Sequence, residues 1–152
     1  MAETNQNMDI PEMITGLCVL VVEDSEFDRA LTIATLKKIG IGKIQVAENG
    51  RLAIAKIKNA IAVKKPFDII LLDAKMPTED GMKVLGWIRG EPELKKQVVI
   101  MITATVSSEE VVKFIELGIN GYVVKPLILG VLQSKIFEIL NIPNKKKEQH
   151  VD

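Results

Sequence analysis

Phe67-Asp68-Ile69-Ile70-Leu71-Leu72-Asp73-Ala74-Lys75-Met76-Pro77 is the stretch whose reading decides the fold. Ile69 to Leu72, led by Phe67, is an unbroken apolar run that stops at a carboxylate. A strand with one wet face alternates apolar and polar residues, whereas a continuous run means that both faces are covered. The same signature recurs on either side. Leu17-Cys18-Val19-Leu20-Val21-Val22, Val98-Val99-Ile100-Met101-Ile102 and Tyr122-Val123-Val124 are all continuous and rich in β-branched residues. Lys43-Ile44-Gln45-Val46 alternates instead, which suits an edge strand.

Helical spacing fills the intervals. Phe27, Leu31 and Ala34 form one stripe, closed by Gly40 as a stop signal. Ile54, Ile57 and Ile61 form the second. Met82, Leu85 and Ile88 form the third, ahead of Gly90 and Pro92. Val111, Val112 and Ile115 serve the fourth, with Ser107 or Ser108 as N-cap before Glu109 and Glu110. The fifth helix spans about 129–140. Five strand–helix units predict an α/β fold, a (βα)5 parallel sheet covered by helices. Right-handed crossovers make it doubly wound, and ligands then bind at the carboxyl ends of the strands.

The 152 residues suit a single domain, and a 47% hydrophobic content is enough for its core. Residues 1–15 read as a flexible arm, 16–142 as the domain and 143–152 as a flexible polar tail. Lys145, Lys146 and Lys147 in that tail read as a solvated charge run. Twenty basic residues balance twenty acidic ones, against the basic surplus of a nucleic-acid binder. Cys18 has no partner for an internal disulfide and reads as a small buried hydrophobe. No apolar stretch approaches the ~20 residues that span a bilayer, and the polar start lacks the features of a secretory signal. The expectation is a soluble cytoplasmic protein that contacts neither membrane nor nucleic acid directly. Trp87 reads as packing, and His150 stands alone as no plausible ligand.

Each long apolar run ends on a reactive kind of residue: Glu23 and Asp24, then Asp73, then Thr103, then Lys125. Side by side, these would meet on one rim. Clustered carboxylates repel one another, and a hard divalent cation such as Mg²⁺ relieves the repulsion through oxygen ligands. Asp24 and Asp73 are the expected direct ligands, Glu23 acts through water, and the Lys75 carbonyl supplies a further oxygen. An Asp carboxylate is also a phosphoryl acceptor. The transferred group's charge spreads over three oxygens, which Mg²⁺, the Lys125 ammonium and the Thr103 hydroxyl would stabilise. Taken singly, each residue has a plainer reading as a cap, a turn residue or a surface lysine. Five such residues, all at the ends of predicted strands in one sheet, are what favour the chemical one.

From Leu17 to Leu140 the chain resembles the CheY-like response-regulator receiver family. The resemblance rests on the acidic pair in VVEDS, LLDAKMPTEDG around Asp73, ITAT ending the fourth strand and GYVVKP ending the fifth. It implies a flavodoxin-like sheet of order 2-1-3-4-5 and a cis bond before Pro126. It implies a signalling phosphoacceptor rather than an enzyme, phosphorylated on Asp73 by a sensor histidine kinase or histidine phosphotransfer protein. Thr103 and Tyr122 would form the switch, biasing two pre-existing states. The output face would be the fourth helix, fifth strand and fifth helix, with Val111, Ile115, Ile119, Tyr122 and Val124 facing a downstream target protein. Monomer or weak dimer is the expected state. Lys75 and Thr105 stand at the positions that vary in the family and affect dephosphorylation.

Three other readings compete. A haloacid-dehalogenase type of enzyme would need a second Asp where Lys75 stands. An FMN binder would want a Ser/Thr/Gly-rich phosphate loop where Glu23-Asp24-Ser25-Glu26 stands. A phosphorylation-independent, receiver-like interaction module is the strongest alternative, although no key residue is missing.

Overall fold

A parallel sheet needs crossover helices, and alternate residues of each strand must find a helix on each face. The computed structural model describes residues 9–76, 81–104 and 107–143, in which both conditions hold. The order is α1 (Ile10–Thr15), β1 (Cys18–Val22), α2 (Glu26–Ile39), β2 (Lys43–Ala47), α3 (Gly50–Ala62), β3 (Ile69–Asp73), α4 (Gly81–Gly90), a 3₁₀ turn (Pro92–Leu94), β4 (Val98–Thr103), α5 (Ser108–Leu117), β5 (Gly121–Val124) and α6 (Leu129–Ile139). All five strands are parallel, in the order β2-β1-β3-β4-β5. This is the α/β doubly wound architecture expected from the apolar runs.

Alternation along the strands divides the core in two. Leu20, Val22, Ile70, Leu72, Val99 and Met101 pack with Ile57 of α3, Leu85 and Ile88 of α4 and Phe114 of α5. Val19, Val21, Ile69, Leu71, Ile100 and Ile102 point the other way, onto Leu36 of α2 and Leu132 and Ile136 of α6. β3 is buried along its whole length, and the edge strand β2 has half-buried or exposed residues until Ala47.

Three expectations are corrected. Residues 10–15 were expected in an arm but form α1. Ile10, Met13 and Ile14 share one face at i, i+3 and i+4 and pack onto the α2/α6 cluster, with Ile14 buried. The stripe Phe27, Leu31, Ala34 does not face the core. Phe27 is 77% exposed, and α2 instead buries Thr32, Thr35, Leu36 and Ile39. Burial of the two threonines is possible because Thr32 Oγ1 donates to the Asp28 carbonyl (2.9 Å) and Thr35 Oγ1 to that of Leu31 (2.8 Å). In α5 the anchor is Phe114, while Val112 and Ile115 face outward. A short helix cannot bury so wide an apolar arc, and the largest ring takes the core position.

Stop signals behave as read. Gly40 ends α2 in the left-handed region at φ 115°, a conformation glycine adopts without penalty. Ser107 caps α5, accepting from the Glu110 N–H. Among the described residues no helix is long and apolar enough to cross a membrane. The arm before residue 9, Thr105, Lys145, Lys146, Lys147 and His150 lie outside the described residues.

Candidate functional site

The carboxyl ends of β1, β3, β4 and β5 meet on one rim, and the register explains which side chains gather there. Val22 pairs with Leu72, Asp73 with Ile102, and Thr103 with Val124, so Glu23, Asp73, Thr103 and Lys125 follow on neighbouring strands. Beyond β1 the chain turns into α2 with Ser25 as N-cap, its hydroxyl accepting from the Asp28 N–H. In the same turn the Ser25 N–H donates to Glu23 Oε2 (3.2 Å), and Arg29 Nη1 donates to the Glu23 carbonyl (3.0 Å). Glu23 is thereby held inward and buried, while Asp24 is exposed. Asp73 is also buried, and its Oδ1 accepts from the Lys75 N–H (3.2 Å).

Lys125 reaches into this group from the end of β5. Its Nζ lies 2.9 Å from Glu23 Oε1, 3.0 Å from Asp28 Oδ2 and 3.6 Å from Asp73 Oδ2. The Lys125–Pro126 bond is cis, and the Lys125 N–H donates to the Thr103 carbonyl (2.8 Å). Burial works against the ammonium, but hydrogen bonds to Glu23 and Asp28 and the nearby Asp73 and Glu23 charges outweigh it, so its pKa is raised. Glu23 is also held above the usual carboxylate range. Burial is the main cause and the neighbouring Asp73 carboxyl adds to it, against the opposing pull of Lys125.

Carboxylate oxygens of Glu23, Asp24 and Asp73 all lie within 4.8 Å of one another. An all-oxygen set with one exposed member suits a hard divalent cation that keeps water in part of its shell. The donor chemistry therefore fits the ion that the sequence implies.

Two features of the rim escaped the sequence reading. Asp28 is a fourth carboxylate, brought to Lys125 across 97 residues of sequence. Its place in the first turn after β1 was the available signal. Gly81 is the other: a Cβ there would stand 2.2 Å from the Asp73 carbonyl oxygen. The glycine lets α4 start directly against the backbone of Asp73, with the Gly81 N–H donating to the Ala74 carbonyl (3.2 Å). Lys75 projects outward, 63% exposed, and pairs with Glu110 of α5 at 3.2 Å. Thr103 is fully buried at the end of β4. Val124, its partner on β5, is exposed, as are Tyr122 of β5 and Ile115 of α5, whereas Val111 and Ile119 are half-buried and Ile119 packs on the core.

Sheet order, rim and acidic group define an α/β domain of the CheY-like, flavodoxin-like class, with its acidic group at the carboxyl edge of the sheet. Residues 19–137 match the response regulator receiver domain family, and the chain belongs to it. The chemotaxis protein CheY-3 of Vibrio cholerae serotype O1 is 33% identical over 121 residues, covering 80% of this chain and 89% of that protein. Among solved structures, the Mn(2+)-bound form of response regulator Rcp1 is 30% identical, with TM-score 0.66 over 81% of this chain and 91% of its own. The receiver domain of the histidine kinase CKI1 from Arabidopsis thaliana, complexed with Mg2+ and BeF3-, is 26% identical, with TM-score 0.74 over 86% and 94%. Receivers of this family are signalling phosphoacceptors of two-component systems and are not generally classed as enzymes.

Proposed function

We propose that this chain takes a phosphoryl group on Asp73 from a sensor histidine kinase or histidine phosphotransfer protein, and that the modification alters its α5–β5–α6 face for a downstream target. The observation behind this reading is the convergence of Glu23, Asp24, Asp73 and Lys125 on one rim. Asp73 is the nucleophile: its buried carboxylate ends the central strand, within 4.8 Å of oxygens of Glu23 and Asp24 and 3.6 Å from the Lys125 ammonium. Glu23, Asp24 and Asp73, with the Lys75 carbonyl, would hold Mg²⁺, which when bound neutralises charge on the transferring group. Lys125 offers an N–H to a phosphoryl oxygen, and the Thr103 hydroxyl offers a second.

Thr103 ends β4, beside Val124 on β5, and Tyr122 lies two residues before Val124. A pull on Thr103 by the phosphoryl group would act next to the exposed Ile115, Tyr122 and Val124, while Val111 and Ile119 are the half-buried part of the same face. The modification then biases two states of that surface. Lys75, two residues after Asp73, influences the attacking water and so the lifetime of the phosphoryl group in this reading.

Incubation with acetyl phosphate and Mg²⁺ followed by intact-protein mass tests the reading. A phosphoryl adduct is expected, absent in Asp73→Asn and in EDTA. No adduct, or one that persists in Asp73→Asn, would favour a phosphorylation-independent interaction module or another acceptor.

A further inference from the structure

Asp28 has no task in the scheme above, yet its carboxylate takes one of the shortest contacts on the rim. Its Oδ2 accepts from Lys125 Nζ at 3.0 Å, close to the 2.9 Å of Glu23 and well inside the 3.6 Å to Asp73. Beyond its charge in the first turn of α2, the carboxylate takes no part in the hydrogen bonds that cap the helix. The cap uses the Asp28 N–H, which donates to Ser25 Oγ, and the Asp28 carbonyl, which accepts from Thr32 Oγ1.

An ammonium has three N–H donors in fixed tetrahedral directions on a flexible stem. Glu23 and Asp28 engage two of them at hydrogen-bond length. Asp73 Oδ2 is the next carboxylate oxygen, across a gap longer than a hydrogen bond. The geometry points to Asp28 as a positioning residue for phosphoryl transfer: with Glu23 it anchors Lys125 beside Asp73 without letting the ammonium close onto it. One donor stays available for an incoming phosphoryl oxygen, and Asp73 Oδ2 is left outside hydrogen-bond reach of the ammonium. Without Asp28 the flexible stem lets Nζ close the gap and pair directly with the nucleophile, which blunts it.

The inference rests on the phosphoacceptor reading. In the step concerned an Asp73 oxygen forms the new O–P bond, and the bond from phosphorus to the donor breaks. With acetyl phosphate as donor, acetate leaves with that bonding pair.

The test follows phosphorylation of the full chain by acetyl phosphate and Mg²⁺, as a time course of intact mass, in wild type, Asp28→Ala, Asp28→Asn and Asp73→Asn. Alanine removes the acceptor oxygen, and asparagine keeps one. Asp28→Ala is expected to slow adduct formation about tenfold and Asp28→Asn to stay within about threefold of wild type, the scale of a small loss of orientation. Mg²⁺ affinity by calorimetry and the thermal midpoint should be unchanged, a separation that a merely structural role would not give. Asp28→Ala as fast as wild type or faster, equal slowing in both variants, or slowing that follows lost Mg²⁺ affinity would overturn the assignment while leaving Asp73 as acceptor. A wild type that gains no phosphoryl group, or an Asp73→Asn protein that gains one equally, would overturn the underlying reading and this assignment with it.

Discussion

Gly81→Ala tests the backbone of the site with a single methyl group. The added Cβ would stand 2.2 Å from the Asp73 carbonyl oxygen, 3.0 Å from the Ala74 Cα and 3.1 Å from the Ala74 carbonyl oxygen. All three atoms are backbone, so no side chain can swing aside. Carbon and carbonyl oxygen ordinarily stay about 3.3 Å apart, so α4 and the end of β3 must separate by about 1 Å. Overpacking of this kind costs roughly 1–3 kcal/mol, and a displacement of about 1 Å at a reacting group can cost about 10²-fold in rate. Urea unfolding followed by circular dichroism reads the first quantity, and the acetyl phosphate time course reads the second. Gly86, in the middle of the same helix, is the control, since a Cβ there meets nothing within 4 Å. Gly86→Ala should stabilise the protein by about 0.8 kcal/mol, the helix preference of alanine over glycine, and leave the rate alone. A Gly81→Ala protein with wild-type urea midpoint and wild-type rate would refute the close approach of α4 to Asp73.

Other predictions follow from contacts already described. Lys125→Met should slow phosphorylation by about 10²-fold, as loss of one fixed donor to a developing anion does. The same variant should lose stability at neutral pH, and the loss should shrink as pH falls. The sign follows from Glu23: its folded-state pKa is raised above that of an ordinary glutamate, so its proton binding favours the folded state, and once protonated it no longer needs the ammonium. Denaturation of both proteins across an acid pH series checks this. Mg²⁺ affinity by calorimetry should fall on acidification, starting at a higher pH than an ordinary glutamate would give, because the proton competes with the metal at Glu23. Arg89→Met should cost about 2 kcal/mol in urea unfolding, the range for hydrogen bonds from a charged group. Arg89 donates to the carbonyls of Gly118 (2.9 Å) and Leu94 (3.2 Å) and to Asn120 Oδ1 (3.0 Å), tying α4 to the turn before β5. As for stability, Lys75→Asn removes an exposed ion pair and should change the unfolding free energy by less than about 1 kcal/mol in urea.

Strand placement and the rim residues were readable because both are local facts. An apolar run states its own burial, and the residue that ends it lies at the sheet edge whatever the neighbours do. Helix faces were less readable. Thr32 and Thr35 look polar, yet each bonds a carbonyl of its own helix and can then be buried, so the core side of α2 was assigned to the exposed Phe27 and Leu31. In α5 the apolar residues surround most of the helix, and only tertiary packing selects Phe114. α1 was missed because a six-residue helix has little stability of its own and forms against the α2/α6 cluster. The Asp28–Lys125 contact and the closeness of Gly81 to Asp73 depend on how separate elements meet, which no single stretch of sequence states.

The most direct measurement is to locate the phosphoryl bond itself. The protein is phosphorylated with acetyl phosphate and Mg²⁺, reduced with borohydride, which converts an acyl phosphate to the alcohol, and mapped by peptide mass spectrometry. Homoserine at position 73 and nowhere else is the predicted result. Reduction at Glu23, Asp24 or Asp28, or at no carboxylate, would contradict Asp73 as the acceptor.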